Sequence, residues 1–177
     1  MAQRAAFDLL KDYERRSLSH APGSPVAASG GSVWRGLAYR IGRHRLVSSF
    51  DEVVEILGVP PVTPLPGAQP WLLGLANIRG NLLPVADLKL FLEGQRSVGQ
   101  ERQRMLVMRQ QGGNVGVLID ELHGQRTFDE SQGDESPDAE GRYVHFIDRV
   151  YRQEGTEWLV FNLDRLSRTP EFRQAAA

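Results

Sequence analysis

Asp120, Glu121 and His123 stand close together in the sequence, and carboxylates beside an imidazole are the raw material of acid–base catalysis or metal binding. The segment that carries them, NVGVLIDELHG, alternates like a strand, and along a strand neighbouring side chains point to opposite faces. Asp120 and Glu121 therefore make no simple carboxylate pair there, and an exposed strand end is the plainer reading. The other histidines, His20, His44 and His145, lack ligand spacing of the HExxH kind. Ser48-Ser49 has no Gly-x-Ser-x-Gly setting for a nucleophile, and neither a P-loop nor a GxGxxG occurs. Cysteine is absent, which excludes disulfides, thiolate metal sites and a cysteine nucleophile, and suits a reducing cytoplasm. No catalytic residue, metal site or cofactor is expected.

Two binding chemistries remain. Trp34, Arg35, Tyr39, Arg40, Arg43, His44 and Arg45 mix aromatic and basic side chains, which on a small barrel would stack bases and neutralise phosphates. A net charge of −1 argues against that alternative, and Trp34 is more simply a core residue. The other chemistry is protein recognition. In GLANIRGNLLPVADL, residues 74 to 88, apolar runs flank a charged tip, Arg79-Gly80-Asn81. An exposed arginine beside apolar strands makes an interface anchor, or else it merely keeps a hairpin tip soluble.

These residues must be positioned by strands. The quoted stretch predicts a β-hairpin, with Pro84 placing its second strand at an edge or a bulge. Trp34–Ile41 and Arg45–Ser49 predict two strands turned at Gly42-Arg43. In SFDEVVEILG a capping box of Ser49 and Glu52 predicts one helical turn, after which VVEIL continues as a strand. Asp87 caps a short helix that Gly94 stops. RMLVMRQ and NVGVLIDEL form a second hairpin around Gln111-Gly112-Gly113, with Val115, Val117 and Ile119 along one face. Residues 127 to 141 carry six acids and no base and predict a solvated loop. YVHFIDRVYR and EWLVFNL close the series as strands.

The expected fold is therefore mainly all-β, in two groups of strands divided near residue 95. Residues 1–18 predict a short amphipathic helix on Phe7, Leu10 and Tyr13, residues 19–32 a flexible linker, 33–170 the folded domain and 171–177 a tail. A hydrophobic content of 41% with 24% charge fits a globular protein, and no apolar run approaches membrane-spanning length.

Trp71 to Leu88, WLLGLANIRGNLLPVADL, resembles the signature segment of CheW-like coupling domains. VVEILG with VTPLPGA, NVGVLIDELHG and EWLVFNLDRL extend the likeness over roughly residues 33 to 167. The resemblance implies two small five-stranded β-barrels about a shared hydrophobic core. It also implies a non-catalytic adaptor between the cytoplasmic tip of a methyl-accepting chemoreceptor and the regulatory domain of a CheA-type histidine kinase, with neither nucleic acid nor membrane insertion. Carried over, the receptor-facing residues are Arg79, Val53 and Glu55, while Asn77 and Gly80 hold the hairpin. The N-terminal extension, the acidic run and HFIDRVYR look more like the PilI branch, which serves type IV pili and twitching motility. Cytoplasmic placement at membrane-associated receptor arrays follows from the same likeness.

Overall fold

The computed structural model describes residues 32–135 and 139–174. The expected helix 1–18 and nearly all of the linker 19–32 lie outside the described residues. Val33–Ala177 forms one compact unit.

Ten strands follow in chain order among the described residues. They are β1 (Val33–Ile41), β2 (His44–Ser49), β3 (Val53–Gly58), β4 (Leu72–Ile78), β5 (Asn81–Asp87), β6 (Arg104–Gln110), β7 (Gly113–Ile119), β8 (Glu121–Asp129), β9 (Ile147–Gln153) and β10 (Thr156–Phe161). Three short helices accompany them: α1 (Leu88–Glu93), α2 (Leu163–Arg168) and α3 (Pro170–Arg173). The strands form two five-stranded sheets, ordered β8-β1-β2-β10-β9 and β3-β6-β7-β5-β4. Each contains one parallel pairing, β2 with β10 and β5 with β7. The second sheet uses consecutive strands, so its residues lie in sequence between the two halves of the first.

Both sheets are strongly curled. With strands about 4.8 Å apart, the outer strands of a flat five-stranded sheet would lie roughly 19 Å apart. Yet Phe128 of β8 stacks on Tyr151 of β9, at opposite ends of the first sheet, with ring centroids 4.6 Å apart. In the second sheet Leu57 of β3 and Leu73 of β4 pack on one inner cluster with Val85 and Met105. The fold is thus mainly β with two five-stranded sheets as expected, but they do not divide near residue 95: that point falls inside the second sheet, between β5 and β6, and the first sheet takes strands from both ends of the chain.

Burial explains the arrangement. Alternate residues of the same strands enter different clusters. Leu106, Met108, Val115, Val117 and Ile119 enter a core shared with Tyr39, Leu46 and Phe161 of the first sheet. Met105, Val107 and Leu118 fill the inside of the second sheet, and Ala38, Val47 and Trp158 the inside of the first. Accordingly β7 is buried on both faces from Val115 to Ile119, not on one alternating face. A buried polar chain crosses the first sheet. Ser48 Oγ donates to the Phe161 carbonyl at 2.7 Å, so Tyr39, 2.7 Å from Ser48 Oγ, donates to it. Burial raises the Tyr39 phenol, which stays protonated.

The local signals at the turns hold. Ser49 and Glu52 form a capping box around a 3₁₀ turn at Phe50–Glu52, and β3 follows directly. Asp87 accepts from the Leu90 N–H at 3.1 Å, and Gly94 ends α1 with φ of 70°. Other expectations change. Pro84 lies in β5, a strand inside the sheet rather than at its edge, while the bulge, the other expected setting, is present beside it, where the β4–β5 register shifts between Leu72 and Gly74. Its missing donor is tolerated because the ladder to β7 starts only at Val85. The acidic run is not all loop, since Phe128 lies in β8 and is buried at 4% exposure. YVH is a 3₁₀ segment, Gly141–His145, and β9 begins at Ile147. The boundary expected at 170 falls inside structure, because α3 carries Phe172 into the shared core.

Candidate functional site

The β4–β5 hairpin turns through two residues, Arg79 and Gly80, with φ of 51° and 87°. Positive φ at both positions gives the twist that joins two strands tightly. Gly80 adopts it freely. Arg79 does not: a left-handed conformation costs a non-glycine residue about 1 kcal/mol or more. Asn77 Oδ1 accepts the Gly80 N–H at 2.9 Å and fixes the turn from within. The Arg79 side chain is then 75% exposed and donates to Glu55 Oε1 at 2.5 Å. Glu55 lies on β3, at the opposite end of the sheet from β4, so this pair bridges the gap that curling leaves. Exposed ion pairs contribute about 0–1 kcal/mol, so the pair positions a guanidinium more than it stabilises the fold.

β3 is the edge strand beside this pair and alternates half-buried with exposed residues. Val53, Glu55 and Leu57 are half-buried, and Val53 packs against the shared core. Val54 and Ile56 are exposed at 45% and 37%. Leu82, level with Asn77 across the hairpin, is 69% exposed. The structure therefore brings Arg79 and Glu55 into contact, places Val53 partly inside, and sets Val54, Ile56 and Leu82 on the surface. Only the alternation of an edge strand, read together with its pairing, singles out Val54 and Ile56.

The residues considered for other chemistry have structural work. Asp120 sits at the bend between β7 and β8, where strand alternation does not apply. Its carboxylate accepts the Gly42 N–H at 2.7 Å and lies 3.5 Å from Arg40 Nη1, while Glu121 lies 3.4 Å from Arg40 Nε. The two carboxylates thus share a cation after all, and Arg102 binds Glu121 at 2.9 Å. That bond to Arg102 is the main reason the Glu121 carboxyl is held below the usual range. Glu52 accepts from the N–H groups of Ser49 and Asp164, both at 3.1 Å, and burial raises its carboxyl against those bonds. His44 packs against Tyr143 with centroids 4.1 Å apart and the rings tilted by 41°, and Tyr143 donates to Glu93 at 2.8 Å. Burial lowers the His44 imidazole, so it is neutral near pH 7. Among the described residues no group of acids and histidines is arranged to hold a metal ion. The stacking platform fails on placement: Tyr39 is fully buried and Trp34 stacks inside the first sheet on Phe128 and Tyr151. No helix among the described residues is long and apolar enough to cross a membrane.

Comparison with known proteins identifies the family. The profile of the CheW-like domain family matches residues 35–171. The chain is 33% identical over 171 residues to Protein PilI of Pseudomonas aeruginosa, spanning 96% of each chain. It is 28% identical over 141 residues to Chemotaxis protein CheW of Rhizobium meliloti, across 79% of this chain and 90% of that one. In fold it is similar to the crystal structure of the scaffolding protein TtCheW from Thermoanaerobacter tengcongensis, with a TM-score of 0.67 at 18% identity, over 77% of this chain and 93% of that one. Two curled five-stranded sheets on one shared core fit those matches, which show that the chain belongs to the CheW-like domain family, non-catalytic scaffolds of chemotaxis-type signalling.

Proposed function

We propose that this scaffold couples a chemoreceptor to a CheA-type histidine kinase in a system that controls type IV pili and twitching motility. The similarity to PilI along nearly the whole chain supports the pilus assignment. Its place would be the cytoplasm, recruited to receptor arrays. The observation that carries the receptor face is the exposure of Arg79, whose 75% exposed guanidinium is held in place by Glu55 on the edge strand β3. Its positive φ belongs to the two-residue turn, as at Glu154 with φ of 53° in the β9–β10 turn, and serves to present the side chain. An exposed arginine beside apolar residues is a usual interface anchor.

In this reading the receptor tip lies along the β3 edge. Val54 and Ile56 meet its apolar face, with Val53 supporting them from below, and the Arg79–Glu55 pair sets register by charge. Asn77 and Gly80 hold the turn that presents Arg79. Arg79→Glu should change folding stability by less than about 1 kcal/mol, because the pair is exposed. It should weaken binding to a purified receptor tip by tenfold or more, about 1.4 kcal/mol. Calorimetric titration of both forms checks this, with Glu55→Arg added to restore the pair in reverse. An affinity within twofold of the parent would remove Arg79 from the interface.

A further inference from the structure

The inner face of the first sheet opens onto a rim of basic side chains. Arg45 lies two residues from Val47, Arg126 two from Phe128 and Thr156 two from Trp158, so all share the face on which Val47, Phe128 and Trp158 cluster. The parallel ladder sets Leu159 against Leu46, which puts Trp158 level with Arg45. The Arg126 guanidinium stands 4.8 Å from the Trp158 ring centroid. His123 meets the same ring edge-on at 5.7 Å, and Arg45 donates to Thr156 Oγ1 at 3.4 Å.

The charge here is unmatched. Arg40, Arg79, Arg102, Arg152 and Arg165 each have a carboxylate partner, whereas Arg45 and Arg126 have none among the described residues. Glu121, the acid near His123, is already held by Arg102 and Arg40. Partial burial lowers the His123 imidazole; Glu121 opposes that, and Arg45, Arg40 and Arg126 lower it further. Beneath the rim Trp158 is 3% exposed, and its Nε1–H has no acceptor among the described residues. Buried polar groups without partners are rare in native structures.

We propose that Arg45, Arg126 and His123 around Trp158 form a docking site for an acidic segment of a partner protein, which places a carboxylate between the two guanidinium groups. A guanidinium stacked on an indole keeps its N–H edges free, and that fork matches a carboxylate in bidentate geometry. A nucleic-acid strand fits less well, because Tyr39 is fully buried and the half-buried Trp34 already stacks on Phe128 and Tyr151, which leaves no run of free ring faces for successive bases. The site lies on the first sheet, apart from Arg79 and Glu55, so it stands or falls independently of the receptor face.

The chain contains three tryptophans, whose indole N–H signals separate by NMR and are assigned by substitution. The test titrates the full ¹⁵N-labelled chain at low salt with a short Glu-rich peptide and with its Gln counterpart. The Trp158 signal should move saturably with the Glu peptide and stay with the Gln peptide, while the Trp34 and Trp71 signals hold still. Arg45→Gln with Arg126→Gln should weaken the interaction by about tenfold or more. Unmoved Trp34 and Trp71 signals in that variant show that its fold is retained. Arg79→Glu should bind the peptide as the parent does. A still Trp158 signal, an equal response to the Gln peptide, or equal loss in Arg79→Glu overturns the proposal. Tighter binding of a single-stranded oligonucleotide than of the Glu peptide overturns it in favour of nucleic acid.

Discussion

Gly74→Ala is expected to destabilise the protein by about 3 kcal/mol or more. Gly74 has φ of 142°, a region that glycine enters freely and L side chains rarely do. A Cβ built there would fall 2.0 Å from the Thr63 carbonyl oxygen, a backbone atom that cannot swing aside. Thr63 and Leu75 exchange two backbone hydrogen bonds, of 2.8 and 2.9 Å, that hold the proline-rich loop against β4. Making room for the methyl means pulling this pair apart. The backbone cost is roughly 1–3 kcal/mol, and each lost hydrogen bond adds about 0.5–1.5. Urea denaturation should show a lower midpoint with an unchanged slope, and the Thr63 and Leu75 amides should exchange faster with solvent. A loss below about 1 kcal/mol would mean that the loop detaches at no cost, against the geometry described.

Phe172→Ala should cost about 3–5 kcal/mol, the usual range for a buried phenylalanine. Phe172 is 2% exposed, stacks on Trp71 at 5.1 Å and meets Phe91 edge-on at 5.2 Å. Trp71 and Phe91 meet each other at 5.4 Å, so three rings from the loop before β4, from α1 and from α3 close one cluster. Removing one ring leaves a cavity beside the other two, and forfeits ring contacts worth about 0.5–1.5 kcal/mol per pair. The melting temperature should fall by on the order of 10 °C. A fall of a degree or two would restore residues 171–177 to the status of a tail.

Phe172 shows where sequence reasoning stops. It has no partner of helical or strand period beside it, so nothing local distinguishes it from a frayed end, and only contacts with residues 71 and 91 bury it. Phe128 escaped for the same reason, followed by acids in sequence but stacked on both Trp34 and Tyr151 in space. The turns were legible because their physics is local: Ser49 with Glu52, Asp87 with Leu90, and Gly94 each act within a few residues. At the candidate site the hairpin could be read from its turn residues, and the family resemblance supplied Arg79, Val53 and Glu55. Their contact could not be read, because residues 55 and 79 meet only when the second sheet curls. Nor could strand spacing reveal that Asp120, placed at a bend, turns toward the same arginine as Glu121.

The nesting of one sheet within the other sets an order of events during synthesis. The second sheet is complete in sequence once Ile119 has left the ribosome, so its ladders close early, the widest of them joining Val53 to Met108. The first sheet has then only β1 and β2, and the strand that β2 must pair with in parallel, β10, comes more than a hundred residues after it. Closing so long a loop is slow. In that interval the apolar face of the finished sheet, Leu106, Met108 and Val117 among it, waits uncovered for Phe161 and Phe172. The nascent chain is therefore most open to aggregation midway through translation, and it becomes safe only as its last aromatic residues arrive.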